Sequence, residues 1–551
     1  MTVFIKKISI KNFKSFKDEE IEFKTPSTDS LGLNIFVGEN NSGKSSLIEA
    51  INFLFEGTKK DITKIKNKDA ELGKKLSVEV TFCGKLSNLI DNFCQDNKKE
   101  AFKKYIFSDG TTEFLTIKRD EDDPKSLFLY NKSNNDYKNE SGIDAPFKKL
   151  FSLETISSDN NPDDEITYSS ASSIIKRLLS LITEDFEEKK EYKIYKEIHE
   201  KTFNSEESSL RKEIIQLERS ADDILKKQFG ELKIKFNFDA FNKDELLKNS
   251  SMRVRDCFLD KEVDFEEKGE GTQRAISLCL IQIYSEKLKK HPKYLNRPKP
   301  FFLFVDEPEL SLHPEAQKKL LESFKEICKT EQIFISTHSP YFLTPRLFKQ
   351  VYRFQNSKEI GTRVFYDKEN KLKSLQENRK FFFHHRDILF KNKVLFVEGV
   401  DDLERYSKYL EKLGKEELIT YVYMLNGKDG FGTELKTFCE VFNVKALCIK
   451  DLDQLVTVIT NQEGLPRRRN ILVKNQELKQ ESQKEWFKRI HGQINFEDPS
   501  LIQAINNELE NNLVLINPYE DVKSYINEDG SINAEKFEFS KKLIIFLEGG
   551  N

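Results

Sequence analysis

The spacing of apolar residues divides this chain into two α/β portions. Apolar and polar residues alternate along residues 8–23 around a polar turn, which predicts a β-hairpin. Phe301–Val305 is a continuous apolar run followed by acidic residues, and Leu33–Val37 is apolar except for Asn34. "QIFISTHSP" (Gln332–Pro340) is another apolar run that ends in polar residues. Runs of this kind are typical of strands that are buried on both faces.

A helical segment is predicted between the two apolar runs. Residues 184–230 lack proline and carry apolar residues at helical spacing, which predicts two helices with a turn near Asn204–Ser209. This insertion, at about residues 170–230, either forms a short dimerising arm or packs as a helical layer. The polar residues between 120 and 137 predict an exposed segment.

Strands and helices alternate again from about residue 389 onward. "KVLFVEGVDDLERYSKYLEKL" (Lys393–Leu413) predicts a strand and an amphipathic helix, and "VKALCIKDLDQL" (Val444–Leu455) predicts a third strand of the same unit. Alternation of this kind favours a parallel sheet, and ligands bind at the carboxyl ends of such strands. Glu398, Asp451 and Asp453 all follow or end these strands, so one sheet edge can gather all three.

Composition limits the classes of protein that remain. The chain has 551 residues, which predicts two or three domains, and a net charge of −3, so any nucleic-acid surface must be local. Its seven cysteines form no CxxC pair and mostly lie among apolar residues, which predicts free thiols in a reducing, cytoplasmic protein. No apolar stretch reaches the length of a membrane span, and the first residues do not form a signal peptide.

The strongest chemical motif follows the first apolar strand. Gly38–Ser45 has the pattern GxxxxGK[ST] between a strand and an apolar helix, which predicts a phosphate-binding loop for ATP. The glycines let backbone N–H groups surround phosphates at a helix N-terminus. Lys44 would reach the β- and γ-phosphates, and the Ser45 hydroxyl would bind Mg²⁺. The residues predicted to contact the nucleotide are Gly38, Asn40, Asn41, Gly43, Lys44, Ser45 and Ser46.

Further motifs resemble those of ABC-type ATPases. Asp306 would orient Mg²⁺ or its waters, Glu307 would polarise the attacking water, and His338 would sense the γ-phosphate. "EKGEGTQRAISLCLIQ" (Glu267–Gln282) resembles the signature loop that contacts a phosphate bound by a second subunit. Gly271 and Gln273 fit that loop, whereas Glu270 replaces the serine that is common in the family. This resemblance implies a homodimer or homotetramer.

The two aspartates of "CIKDLDQL" lie at the end of an apolar strand, two positions apart. In an extended strand Asp451 and Asp453 point to the same side, and two adjacent carboxylates stay ionised together when they hold a cation. A polar strand end that enters a turn is the alternative.

The C-terminal pattern, a glutamate after the first strand and DxD after the third, resembles the Toprim domain. "DILFKNKVLFVEGVDDLERY" is similar to the OLD (overcoming lysogenisation defect) family, which joins an ABC-type ATPase to a Toprim nuclease domain. The motif EGxx[DE] of that family matches Glu398, Gly399 and Asp402. The resemblance implies that Glu398, Asp402, Asp451 and Asp453 bind Mg²⁺ or Mn²⁺, with Glu520 as a late acid. It also implies an ATPase domain at residues 1–388 and a Toprim domain at residues 389–551.

The function implied by this resemblance is an ATP-regulated, metal-dependent endonuclease that hydrolyses DNA phosphodiesters. Relatives of this type include Gabija and retron-associated antiphage effectors, so a defence partner, such as a retron reverse transcriptase with its DNA or a helicase, is also implied. Two alternatives stay open. One is an RNA- or tRNA-cleaving Toprim toxin, and the other is an ATP-driven DNA sensor or clamp with a non-catalytic Toprim domain.

Overall fold

The computed structural model describes most of the first 373 residues and parts of the remainder. The described residues are 3–28, 30–57, 61–70, 73–156, 188–205, 207–229, 235–236, 240–241, 245, 252–256, 261–269, 271–273, 276, 279–280, 283, 300–310, 312–373, 386–397, 399–412, 414–424, 433–451, 470–472, 478–480 and 514–517. Within these ranges, every helix is too short or too polar to cross a membrane.

The strands are numbered in chain order. They are β1 (Phe4–Phe13), β2 (Phe16–Glu22), β3 (Leu33–Gly38), β4 (Ser77–Gly84), β5 (Phe107–Ser108), β6 (Glu113–Asp120), β7 (Phe128–Asn131), β8 (Asp136–Asn139), β9 (Ser152–Ile156), β10 (Arg253–Asp256), β11 (Lys261–Asp264), β12 (Phe301–Asp306), β13 (Gln332–Ser336), β14 (Val351–Ser357), β15 (Gly361–Phe365), β16 (Lys393–Val397), β17 (Val422–Met424), β18 (Lys445–Asp451), β19 (Asn470–Leu472), β20 (Leu478–Gln480) and β21 (Val514–Asn517).

The α-helices are numbered in the same way. They are α1 (Lys44–Glu56), α2 (Leu86–Phe93), α3 (Asp96–Lys103), α4 (Asp144–Leu150), α5 (Lys190–Phe203), α6 (Ser209–Phe229), α7 (Pro314–Ile327), α8 (Val400–Lys412) and α9 (Thr433–Val441). Short 3₁₀ helices are found at Ile62–Lys64, Phe265–Glu267, Pro340–Phe342, Pro345–Gln350, Arg386–Phe390 and Glu416–Tyr421.

An antiparallel sheet forms one layer of the N-terminal portion. Its strand order is β2-β1-β4-β6-β7-β8, with β5 paired to β6, and the β1–β2 pair is the hairpin predicted for residues 8–23. One prediction is wrong here: residues 120–137 are not an exposed segment, because Leu127 and Leu129 are fully buried. The pairing of β7 with β6 turns these leucines into the core beneath the sheet.

A second, mainly parallel sheet carries the motifs. Its order is β15-β14-β3-β13-β12-β9, and only β15 runs antiparallel to its neighbour. Alternate residues of β12 enter two different cores: Phe302 and Phe304 pack with α1 and the antiparallel sheet, whereas Leu303 and Val305 pack on the other face. Strand β12 is therefore apolar at consecutive positions, as the sequence predicted, and the α/β fold class is confirmed.

The C-terminal portion contains a four-stranded parallel sheet in the order β17-β16-β18-β21. The observed strands and the helices α8 and α9 confirm the predicted strand–helix alternation after residue 389. The second core of the mainly parallel sheet continues into this region, because Phe396 and Phe438 belong to the same buried cluster as Leu303 and Val305.

Two helices occupy the described part of the predicted insertion. Helix α5 ends at Phe203 and α6 begins at Ser209, so the predicted turn near Asn204–Ser209 is confirmed. Within the described part of this pair, several large apolar side chains face solvent, namely Ile194, Ile198, Leu210 and Leu217. Residues 170–187 of the predicted insertion lie outside the described residues.

Candidate functional site

The phosphate-binding loop connects β3 to α1 at the carboxyl edge of the parallel sheet. Gly43 has a φ of 106° just before α1, and a Cβ added there would lie 2.4 Å from the Thr362 hydroxyl oxygen. Gly38 has a φ of 144°, and its added Cβ would lie 2.3 Å from the carbonyl oxygen of Phe354. Both positions therefore require glycine, and the tight loop lets backbone N–H groups face a phosphate at the start of α1.

Lys44 is the first residue of α1, and its side chain turns back into this loop. Its Nζ donates hydrogen bonds to the carbonyl oxygens of Gly38 (3.1 Å) and Glu39 (3.0 Å). Burial lowers the pKa of Lys44 to about 8, although the carboxylates of Glu307 and Asp306 act in the opposite direction. The anionic phosphates of a nucleotide would favour the charged ammonium in the same way, so the loop suits ATP.

Ser45 and Asp306 meet beside the loop. The Ser45 hydroxyl donates to Asp306 Oδ2 at 3.4 Å, although the two residues belong to α1 and β12. The Ser336 hydroxyl, on β13, donates to the other carboxylate oxygen of Asp306. A hydroxyl and a held carboxylate are the hard oxygen donors that Mg²⁺ prefers, so these residues fit the predicted magnesium site.

Glu307 and His338 extend from neighbouring parallel strands toward each other. Glu307 has a φ of 48°, and its backbone N–H donates to the Ser336 carbonyl oxygen at 3.0 Å. The distance from Glu307 Oε1 to His338 Nε2 is 3.7 Å. Burial lowers the pKa of His338, and the nearby Lys44 ammonium acts in the same direction. A neutral imidazole at neutral pH can donate one N–H to a phosphate.

Glu309 belongs to this cluster and was missed in the sequence. Its Oε1 accepts the His338 backbone N–H at 2.6 Å, and its buried Oε2 has no hydrogen-bond partner among the described residues. Burial raises the pKa of this carboxyl. The third acid of the "DEPE" run was the available signal, but a sequence does not show which carboxylate turns inward.

The other residues predicted from the loop line its outer side. Asn40 and Asn41 are exposed, and the Asn41 carbonyl oxygen accepts a hydrogen bond from Asn356 Nδ2 at 3.3 Å. Ser46 accepts the Ser15 hydroxyl at 3.5 Å. Ser15 also lines an open cavity of about 550 Å³ together with Lys14, Lys17, Asn67 and Asp69, among others. A polar cavity of this size beside a phosphate loop can accept a nucleoside.

The signature-like segment is described only in part. Gly271 begins a short helical stretch, and Gln273 is 4% exposed, with its Nε2 donating to the Phe265 carbonyl oxygen at 3.3 Å. Gln273 thus contacts its own chain, and its role at a nucleotide of a second subunit stays a prediction. Glu270 lies outside the described residues.

The carboxyl ends of three C-terminal strands meet at one sheet edge. Val397 of β16 pairs with Ile449 of β18, and Asp451, the last residue of β18, pairs with Asn517, the last residue of β21. Glu398, Asp453 and Glu520 lie outside the described residues, and only the backbone positions of Asp402, in α8, and Asp451 are described. The predicted metal ligands of this edge therefore stay predictions. The described residues contain no group of three or more metal-binding side chains.

Comparison with known proteins agrees with the N-terminal geometry. A sequence model described as "AAA ATPase domain" matches residues 4–343. The Old nuclease of Escherichia phage P2 is 26% identical over 484 residues, which cover 84% of this chain and 79% of that protein.

Two further relatives match over smaller shares of their own length. Endonuclease GajA of Bacillus cereus (strain HuB5-5) is 21% identical, over 79% of this chain and 62% of GajA. The OLD nuclease of Thermus scotoductus (strain ATCC 700910 / SA-01) is 25% identical, over 42% of this chain and 43% of that nuclease. This chain thus spans less than two thirds of both proteins.

Proposed function

Because this chain belongs to the AAA ATPase domain family and its resemblance to the OLD family is confirmed by relatives named nucleases, we propose that it is an ATP-regulated, divalent-metal-dependent endonuclease that hydrolyses DNA phosphodiesters. We also propose that it acts as an antiphage defence effector. The observation that carries the ATPase half is the convergence of Lys44, the Ser45–Asp306 pair and the Glu307–His338 pair at one sheet edge.

Each residue of this edge has a defined role in the proposed ATPase reaction. The Lys44 ammonium and the loop N–H groups bind the β- and γ-phosphates, and the nearby cavity holds the nucleoside. Ser45 and Asp306 would hold Mg²⁺, which neutralises phosphate charge when it is bound. The Glu307 carboxylate accepts a proton from the attacking water, and the neutral His338 donates a hydrogen bond to the γ-phosphate.

The proposed nuclease reaction uses the C-terminal sheet edge. Glu398, Asp451 and Asp453, with Asp402 in support and Glu520 as a late acid, would hold Mg²⁺ or Mn²⁺. Metal ions bound by such carboxylates activate water and stabilise the charge that develops on a phosphodiester. The pairing of β16, β18 and β21 supports this assignment, because it brings the ends of three parallel strands to one edge. We propose the Toprim assignment and the division into residues 1–388 and 389–551 on the same basis.

The exposed apolar side chains of α5 and α6 support a homodimer or homotetramer. Ile198 and Leu217 are 59% and 58% exposed, and burying large apolar side chains against a second copy stabilises an assembly. This favours the dimerising arm over a packed helical layer.

A cleavage assay tests the proposed function. The substrates are supercoiled plasmid, linear duplex DNA, single-stranded DNA and tRNA, each with Mg²⁺ or Mn²⁺ and with or without ATP. We expect metal-dependent cutting of DNA that the double substitution Asp451→Ala/Asp453→Ala abolishes while ATP turnover is retained. Cutting of tRNA alone would establish the RNA-cleaving alternative. ATP turnover stimulated by DNA without any cutting would establish the sensor alternative.

A further inference from the structure

A buried arginine connects the two parallel sheets. Arg353 lies on β14 next to the strand that leads into the phosphate loop, and its backbone pairs with Val37 of β3. Its side chain is 1% exposed and points away from the phosphate loop, into the C-terminal portion. No motif in the sequence marks this residue.

The guanidinium makes five hydrogen bonds, as many as it has N–H groups. Its Nε donates to the carbonyl oxygen of Leu389 at 3.1 Å. Its Nη1 donates to the carbonyl oxygens of Phe442 (2.8 Å) and Asn443 (3.2 Å). Its Nη2 donates to the Lys391 carbonyl oxygen (2.7 Å) and to Asn392 Oδ1 (2.8 Å). The planar fork therefore fixes five acceptors at once.

These acceptors lie where two strands begin. Lys391 and Asn392 directly precede β16, whereas Phe442 and Asn443 follow α9 and precede β18. The Lys445 backbone N–H also donates to the Asn392 carbonyl oxygen at 2.9 Å, which joins the two strand starts. The opposite ends of these strands lead to Glu398 and Asp451, so Arg353 sets the relative position of the strands that carry two predicted metal ligands.

The acceptors of Arg353 carry no formal charge, but two of them lie at a helix end whose partial negative charge favours a guanidinium. Phe442 and Asn443 follow the C-terminus of α9, where unpaired carbonyl groups carry partial negative charge. Arginine keeps its charge when it is buried, whereas removal of the guanidinium would leave several buried carbonyl groups without donors. The contact is therefore specific for the arginine fork.

The same strand also contacts the phosphate loop. Phe354, the next residue after Arg353, pairs with Gly38. Asn356 donates to the Asn41 carbonyl oxygen, as described above. Gln355, between them, accepts Asn443 Nδ2 at 2.7 Å. Consecutive residues of β14 thus alternate between the C-terminal portion and the loop that binds ATP.

A second contact links the nucleotide site to the start of the C-terminal sheet. The ring centroids of His338 and Phe390 are 6.5 Å apart, and Phe390 ends the 3₁₀ helix whose Leu389 is bonded to Arg353. His338 lies in the cluster that would face the γ-phosphate. The nucleotide site therefore contacts the segment that is bonded to Arg353 through a second pair of residues, His338 and Phe390.

We propose that Arg353 is a positioning residue through which β14 couples the nucleotide state of the phosphate loop to the arrangement of β16 and β18. The coupling to cleavage rests on the proposed function, but the coupling between the two sheets does not. A nucleotide that shifts Asn41 or Gly38 displaces β14, and the fork transfers the displacement to both strand starts. Coupling of this kind is reciprocal, so a ligand at the C-terminal edge also alters nucleotide affinity.

Hydrogen exchange read by mass spectrometry tests the coupling without any cleavage. The full-length protein is compared with and without Mg²⁺ and a non-hydrolysable ATP analogue. In the unsubstituted protein we expect the nucleotide to change the exchange of the Lys445–Asp451 segment by about fivefold or more. Arg353→Lys, which keeps the charge and loses the fork, should abolish that change while the protection of residues 38–46 by nucleotide is retained. Arg363→Lys is the control, because Arg363 lies on β15 and bonds only to β2 residues in the described contacts, Asp18 and Glu19.

A second variant keeps the test decisive if Arg353→Lys does not fold. Gln355→Ala removes an exposed bond to Asn443 and should reduce the response of residues 445–451 without preventing folding. The proposal is overturned if the unsubstituted protein shows no nucleotide response in residues 445–451, or if the folded variants keep it.

The cleavage assay, run in parallel, separates the two proposals. If the unsubstituted protein cuts DNA, the ratio of its rates with and without ATP should move toward one in Arg353→Lys and Gln355→Ala. If it cuts nothing while the exchange response depends on Arg353, the proposed nuclease function fails and the coupling stands.

Discussion

The carboxylate of Glu307 and the imidazole of His338 lie 3.7 Å apart, Oε1 to Nε2, although they follow different strands of the parallel sheet. Their approach depends on the pairing of Asp306 with Ser336, which brings the ends of β12 and β13 level. Glu307 is held further by its positive φ and by the bond from its N–H to the Ser336 carbonyl oxygen. The sheet thus brings together the proposed base for water and the proposed donor for phosphate.

The substitution Glu307→Gln should stop ATP hydrolysis and spare ATP binding. The amide keeps the size of the side chain but cannot accept a proton from water, so turnover should fall by about 10²- to 10⁴-fold. Steady-state hydrolysis and nucleotide titration measure the two effects. Glu315→Gln is the matched control, since Glu315 is exposed on α7 and paired only with Lys318 in the described contacts. Equal loss in both variants would contradict the assignment of Glu307.

The substitution Gly43→Ala should abolish ATP binding and destabilise the protein. The new Cβ would meet the Thr362 hydroxyl at 2.4 Å, and an alanine with φ near 106° is also strained. Gly110→Ala is the control, because Gly110 has a φ of 98° and nothing within 4 Å of the added Cβ.

The two glycine variants separate strain from steric overlap. The backbone strain alone should cost about 1–2 kcal/mol in both variants, and overpacking should add roughly 1–3 kcal/mol in Gly43→Ala only. Denaturant unfolding measures this difference. Equal destabilisation of both variants would mean that the loop moves freely away from Thr362.

The double substitution Ile198→Lys/Leu217→Lys should break the proposed dimer. Two charges in an apolar interface are unfavourable, so light scattering after gel filtration should show the mass of one chain. Ile360→Lys changes another exposed apolar residue, on the β14–β15 turn, and should leave the assembly intact. Retention of the assembly by the double variant would place the subunit contact elsewhere.

Cysteine alkylation should separate exposed from buried thiols. Burial raises the pKa of Cys439 to about 12 and of Cys83 to about 11, whereas Cys279 is exposed. At pH 8 a thiol with a pKa near 11 is roughly one part in a thousand thiolate. Iodoacetamide should therefore label Cys279 before Cys83 and Cys439, and peptide mapping by mass spectrometry measures the order. Labelling of Cys439 at the rate of Cys279 in folded protein would contradict its burial.

The same thiols predict how stability depends on pH. The folded state keeps protons that unfolded thiols lose above their ordinary pKa of about 9. The free energy of unfolding should therefore fall as the pH rises from about 9 to 11, because the unfolded state binds fewer protons in that range. Unfolding titrations at fixed temperature measure this slope, and an opposite slope would mean that other groups dominate.

The sequence predicted those parts of the fold that local patterns encode. The hairpin of residues 8–23, the strand before Gly38 and the helices α5 and α6 follow from alternation, buried runs and helical spacing. The alternation of Leu127 and Leu129 also encodes a strand, but the surrounding polar residues favoured the prediction of an exposed segment. Short strands in polar surroundings depend on pairing with a distant partner, which a local pattern does not show.

The site shows the same division between local and distant information. The motifs that surround Lys44 and Asp306 are local, so their convergence could be predicted from strand ends alone. Glu309 and Arg353 were not predicted, because each belongs to no sequence motif and its role depends on neighbours far along the chain. Phe442, an acceptor of Arg353, lies 89 positions away in sequence.

The shared core has a consequence for how this protein responds to proteolysis. The proposed boundary at residues 388 and 389 falls inside one 3₁₀ helix, and both Ile388 and Leu389 are fully buried in the cluster that also holds Leu303 and Phe438. A proteolytic fragment that holds only the C-terminal sheet would expose this apolar surface to water and aggregate or be degraded. Cleavage of the chain is therefore not expected to release a stable C-terminal fragment, so the proposed nuclease activity would stay linked to the N-terminal portion.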